Sequence, residues 1–118
     1  DMATTKSVEE AKERGEAAGK NAAAWRFDGN TTDLTYQHFI DGFEEGDPEV
    51  MDAYSVSPLS GEWAGESITE LVGDLIEEWP EVEEEILSVY EEAYQEAYWN
   101  ELQAAARSAL SHGGNFKA

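Results

Sequence analysis

The sequence predicts an all-α protein: a single compact domain of four to five helices with a long C-terminal helix. Three observations carry that expectation. Two stretches have the order of a capping box, Ser7-Val8-Glu9-Glu10 and Ser67-Ile68-Thr69-Glu70, in which a Ser side chain and a Glu three residues later satisfy free amide groups at a helix start. Apolar residues recur at helical spacing, and no alternating strand pattern is present. The 31 residues from Pro80 to Leu110 contain no glycine and no second proline.

The elements follow in order. The first helix is expected from Ser7 to about Arg26, with Gly15, Gly19 and Ala23 giving one nearly bare face that a neighbouring helix can approach closely. The same stripe leaves homodimerisation through Gly15, Gly19 and Ala23 open. A turn at Phe27–Asp33, rich in Asp, Gly and Asn, leads to a second helix over Leu34–Glu45. Its apolar side is Leu34, Phe39, Ile40 and Phe43, and Gly46 ends it in the position where glycine closes a helix. Asp47-Pro48 opens a short third helix to about Tyr54, with Val50, Met51 and Tyr54 as core contacts.

The one sizeable irregular segment, Ser55–Ser67, contains Leu59 and Trp63, which suit plugs over the core. A fourth helix runs from the Ser67 cap to near Trp79, because Pro80 disfavours helix in the residue before it. The fifth starts at Pro80 and is expected to stop at Gly113-Gly114. The domain is therefore placed at residues 2–112, with 113–118 as a C-terminal tail. Asp1, preceding Met2, reads as an appended residue.

The charge is lopsided. Of 118 residues, 27 are Asp or Glu and 7 are Lys or Arg, for a formal charge of -20. Thirteen aromatic residues argue against the disorder that such a charge otherwise favours. Five of the bases, Lys6, Lys12, Arg14, Lys20 and Arg26, precede a stretch from Phe27 to Ala106 that holds 22 acids and no Lys or Arg. Direct binding of nucleic acid or of an anionic membrane is disfavoured, since both depend on Lys and Arg. A basic protein is the complementary partner. With no Cys, neither a disulfide nor a thiolate metal site is available. The absence of an apolar run long enough to span a bilayer, and of an apolar signal core, makes the cytoplasm the expected compartment.

On a helical wheel, Val82, Ile86, Val89, Tyr90, Ala93, Tyr94, Ala97 and Tyr98 share one half of the fifth helix. Glu81, Glu84, Glu85, Glu91, Glu92 and Glu96 share the other, and Trp99 falls beside them. Like charges three or four residues apart repel by a few tenths of a kcal/mol each, so a face chosen for stability alone would mix in lysines. From Glu81 to Glu101 there is about one carboxylate per 3.8 Å of helix axis, close to the roughly 3.4 Å phosphate spacing along a DNA strand. The expected function is that of an acidic, DNA-mimic-like inhibitor of a basic nucleic-acid-binding protein. Its binding residues are these six glutamates, with Trp99 and Trp63 as apolar anchors. The alternative is an acidic structural or solubility-adapted helical protein with no inhibitory role.

No catalytic constellation is recognisable, so enzymatic activity is not expected. His38 and His112 lie outside any metal-binding helix pattern. Ser60 lacks the flanking glycines of a nucleophile elbow. Asp47, Glu49 and Asp52 do not match a calcium loop, and no phosphate-binding glycine loop exists. No cofactor is expected.

The blocks Ala17–Thr31 (AAGKNAAAWRFDGNT), Gly46–Asp52 (GDPEVMD), Pro58–Ser67 (PLSGEWAGES) and Tyr90–Arg107 (YEEAYQEAYWNELQAAAR) resemble a group of small acidic proteins encoded by bacteriophages of actinobacteria. That resemblance implies a phage context, with the cytoplasm of an infected host as the compartment and a host nucleic-acid-binding protein as the target. It carries no activity with it.

Overall fold

A computed structural model describes residues 2–27, 31–56 and 68–117. It is an all-α single domain built from α1 (Met2–Ala24), α2 (Asp33–Glu45), α3 (Pro48–Ala53), α4 (Ile68–Glu78), a one-turn 3-10 helix (Pro80–Val82) and α5 (Glu83–Lys117). At 35 residues α5 extends about 52 Å and sets the long axis of a body measuring 56 × 25 × 24 Å.

The dominant interface joins α1 to α5. The two helices run parallel: Gly15 lies against the Tyr90 carbonyl and Gly19 against that of Tyr94, so both chains advance together. Such close approach needs side chains without bulk. Ser7 and Ala11 continue the four-residue spacing of Gly15, Gly19 and Ala23, and all five are buried. Against this bare ridge α5 lays Ile86, Tyr90, Ala93, Tyr94, Ala97 and Tyr98, also buried. The small-residue stripe is thus consumed within the chain and is not free for a second copy.

Ser7 corrects the reading of the first helix. It is fully buried in mid-helix instead of capping an end, because a small polar side chain that can lie against its own helix also satisfies the need for a slim ridge.

The second interface sets α2 across α5. Thr32 caps α2, its hydroxyl accepting from the Thr35 amide at 3.3 Å, and Gly46 closes it with φ 70°. The Asp47 carboxylate caps α3 by accepting from the Glu49 amide at 3.0 Å. Gly42, with no side chain, lets Val50 of α3 pack onto α2. Phe39, Ile40 and Phe43 face inward as expected, but Leu34 is 80% exposed. It sits in the first turn, more than 100° around the helix from the Phe39–Ile40–Phe43 side. Phe27, Tyr36, Phe39 and Tyr54 form a chain of edge-on and tilted ring contacts with centroids 4.8–5.8 Å apart, which closes the corner between α1, α2 and α3.

α4 packs on both α1 and α5 through the buried Val72 and Leu75. Arg14 holds it in place with a two-pronged bond to Asp74, at 2.7 and 3.0 Å, while also reaching Glu10 at 3.2 Å. The bond to Arg14 holds the Asp74 carboxyl below its ordinary pKa, and the same bond raises that of Arg14. Two boundaries differ from expectation. Pro80 starts a separate 3-10 turn before α5 proper, and α5 continues through Gly113 and Gly114 to Lys117, so no break separates residues 113–117 from the helix. The Ser67 cap and the plugs Leu59 and Trp63 lie outside the described residues.

Candidate functional site: the acidic flank of the long helix

Glu81, in the 3-10 turn, and Glu84, Glu85, Glu91, Glu92 and Glu96, on α5, are all exposed. The helix keeps them outside because the opposite side carries the tyrosines and alanines that meet α1. The structure nevertheless divides them by their neighbours.

Glu92 and Glu96 line a groove with Val8, Lys12, Val89 and Ala93. A second, continuous groove of about 430 Å³ runs on from Lys12 past Glu16 and Lys20, with Glu96, Glu101 and Asn100 on the α5 side. Lysines far away in sequence thus stand across the seam from Glu92, Glu96 and Glu101. The parallel pairing of α1 and α5 causes this, and nothing local to either helix announces it. Among the described residues Lys12 and Lys20 make no ion pair within 4.0 Å, so they offset this charge at a distance.

Glu81, Glu84 and Glu85 have different surroundings. Together with Glu83, Pro80 and Val82 they line a shallow, open depression containing no base. The exposed Glu77 and Glu78 precede it at the end of α4. Carboxylates in the first turn of α5 are favoured by the positive end of its dipole. Glu77 and Glu78 sit at the negative end of α4, where carboxylates are disfavoured and where no basic residue occurs. This corner gathers six exposed carboxylates, Glu77, Glu78, Glu81, Glu83, Glu84 and Glu85, and the dipole of α4 disfavours the first two.

Trp99 does not join the acidic flank as an anchor. It is partly buried, stacked nearly parallel to Phe39 at 6.5 Å, tilted against Phe43 at 5.8 Å and edge-on to Tyr98 at 5.2 Å. Its indole N–H donates to the Gln95 side chain at 3.2 Å. The wheel treats only one side of α5 as covered, whereas α2 covers a second side at this level. Beside it, the Tyr98 hydroxyl donates to the Tyr54 carbonyl, and burial pushes that phenol up to about 12. Gln95 donates to the Val56 carbonyl at 2.9 Å. These residues fasten α5 to the end of α3. The sequence signal for Gln95 and Trp99 is a polar and an aromatic residue four positions apart on a flank otherwise acidic, whereas Tyr98 belongs to the apolar half.

Among the described residues no group of three or more His, Cys, Asp or Glu is arranged to hold a metal ion, and no helix is long and apolar enough to cross a membrane. The chain is an all-α domain with a segregated acidic flank. No family model, curated protein or solved structure matches it.

Proposed function

We propose that this chain is an acidic binding protein whose α4–α5 corner and adjoining α5 flank occupy the nucleic-acid-binding surface of a basic host protein during phage infection. The observation that carries the reading is the exposed run Glu77, Glu78, Glu81, Glu83, Glu84 and Glu85, continued by Glu91. Its first-turn members gain from the α5 dipole, but Glu77 and Glu78 gain nothing of the kind, and mutual repulsion within the run opposes folding. Charge held against a folding cost fits a surface kept for association, where a field of one sign speeds encounter with a basic partner. Glu92 and Glu96 belong to the flank but stand opposite Lys12, which favours a partly structural role for them, as the solubility-adapted alternative would have it. Trp63 remains a candidate anchor.

The test is capture of actinobacterial proteins on the immobilised chain, followed by competition between the chain and labelled duplex DNA for each purified binder. The expected outcome is displacement of the DNA by wild type, with at least tenfold loss of potency on reversing Glu81, Glu84 and Glu85 to Lys and a smaller loss on reversing Glu92 and Glu96. Binders that hold the chain and the DNA together, or equal potency of the Glu81/Glu84/Glu85 variant, would overturn the proposal.

A further inference from the structure

Beyond that reading, we infer that α4 is a strap that melts from the body separately from α1 and α5, and that charge at the corner governs its closure, so that a polycation laid over the corner holds it shut. The effect of a polycation rests on the corner being an association surface, as proposed above, whereas the separate melting does not. The inference starts from the weakness of α4 as a helix. Its 11 residues are fewer than an isolated helix needs to persist in water. Gly73 stands in its middle, where glycine weakens a helix. Glu77 and Glu78 occupy its negative end with no basic residue in the last turn to offset them, which the helix dipole disfavours. α4 therefore keeps its shape only while it is packed.

The packing is limited. Among the described side chains of α4, Val72 and Leu75 are buried and Ile76 lies partly buried against the core. The two-pronged bond from Arg14 reaches an Asp74 side chain that is 65% exposed, and ion pairs in water contribute little. The interface of α1 with α5 is far larger and buries Ile86, Tyr90, Tyr94 and Tyr98. At the other end of the strap, Trp79 leaves helical geometry with φ -128° and ψ 65°, so α4 does not continue into α5 and need not melt with it. An element with few buried side chains and a break of its own opens at lower free energy than the whole domain. Melting also abolishes the dipole that disfavours Glu77 and Glu78, and it lets both move away from Glu81, Glu83, Glu84 and Glu85. Both changes favour the open state. Cationic groups laid over the corner offset the repulsion and the dipole together, and so favour the closed one.

Native-state hydrogen exchange of the full chain tests this. In wild type the amides of Val72 to Glu78 should be protected at least tenfold less than those of Tyr90 to Tyr98. Urea at up to about 1 M should hardly change the exchange of α4 while it steeply accelerates that of Tyr90 to Tyr98, because the slope follows the surface exposed on opening. Joint Glu77→Lys and Glu78→Lys substitution should raise α4 protection at least threefold, and Asp74→Asn should lower it about threefold. Octalysine, added at fixed ionic strength, should raise α4 protection in wild type at least threefold and have no effect on a chain carrying Glu81→Lys, Glu84→Lys and Glu85→Lys. Exchange of α4 with the same protection and the same urea slope as Tyr90 to Tyr98 would overturn the separate strap. Protection that stays level or falls, on the Glu77 and Glu78 reversals or with octalysine on wild type, would overturn the charge control. The urea comparison uses wild type alone, so it decides the first point even where a substitution disturbs folding. No DNA-binding protein enters these measurements, so failure of the DNA competition proposed above leaves the separate melting of α4 standing.

Discussion

Replacing Gly15 by Ala tests the central contact of the fold, and its sign is informative. At a solvated helix position Gly→Ala stabilises by about 1 kcal/mol. Here the new Cβ would stand 2.5 Å from the Tyr90 carbonyl oxygen, 3.3 Å from its carbon and 3.1 Å from the Ala93 Cβ. The oxygen belongs to helical backbone and cannot swing aside, so α1 and α5 must part by nearly 1 Å along the interface that buries Tyr90, Tyr94 and Tyr98. Overpacking of this kind costs about 1–3 kcal/mol, and a clash with backbone belongs at the upper end. After subtracting the propensity gain, the net loss is about 2 kcal/mol, a fall in melting temperature of roughly 6–10 °C for a chain of this size. Gly19→Ala, whose Cβ would meet the Tyr94 carbonyl, should behave alike. The double variant should cost less than the sum, because one separation relieves both clashes. Urea titration followed by far-ultraviolet circular dichroism reads each value. An increase in stability for either alanine would show that α1 and α5 are not in backbone contact, and the parallel register with its lysine placement would fall with it.

Two further predictions concern charge and pH. Moderate salt, or a pH lowered from 7 towards 5, should raise the melting temperature by weakening repulsion along α5. The rise should reverse below about pH 4, because the Asp74 pKa is lowered in the fold by Arg14, so its contribution is present above the ordinary value and lost as pH falls through the depressed one. A melting temperature indifferent to salt and to pH between 7 and 5 would show the carboxylates too far apart to matter. At the alkaline end, the Tyr98 phenol titrates near 12 in the fold against about 10 unfolded. Its contribution, at most roughly 2.7 kcal/mol, is complete below pH 10 and lost as pH rises through 12. Tyr98→Phe should flatten that decline while lowering stability at neutral pH by about 1 kcal/mol through loss of the bond to Tyr54; an unchanged alkaline slope would mean Tyr98 is not the group responsible.

Much of the fold was legible where a local chemical signal exists. Gly46, Asp47 and Pro48 mark helix ends because each satisfies or removes a particular backbone group, and the structure uses all three. The inward half of α5 was legible because burial there follows one period through Ile86, Tyr90, Ala93, Tyr94, Ala97 and Tyr98. Errors arose where a residue has two uses. Ser7 suits a cap and also a slim ridge, and packing against α5 took precedence. Gly113 and Gly114 suit a helix stop, but glycine only weakens a helix by about 1 kcal/mol, and the chain continues helically past both. Trp99 fell beside the glutamates because a wheel assumes one covered side, and the covering by α2 is a tertiary fact. The acidic flank was legible as a list of glutamates. Its division was not, since the distance from Lys12 to Glu96 is set by how α1 and α5 align.

That division narrows the functional question. In sequence the bases of α1 and the acids of α5 are segregated, which suggests a run of wholly uncompensated charge. In space, the parallel pairing returns Lys12 and Lys20 to the middle of α5, the packing of α4 on α1 brings Arg14 to Asp74, and the packing of α2 on α5 brings Arg107 to within 3.7 Å of Glu44. Folding therefore accounts for much of the charge around Glu92, Glu96 and Glu101. What it leaves is the corner where α4 gives way to α5. There Pro80 breaks the helix, Glu81 to Glu85 gather at a favourable dipole end, and Glu77 and Glu78 gather at an unfavourable one. A sequence adapted only for solubility has no reason to concentrate acids at the end of α4, where lysine would both stabilise the helix and keep the surface polar. Charge placed there against the helix's own field is the part of the flank that the helix dipoles do not account for.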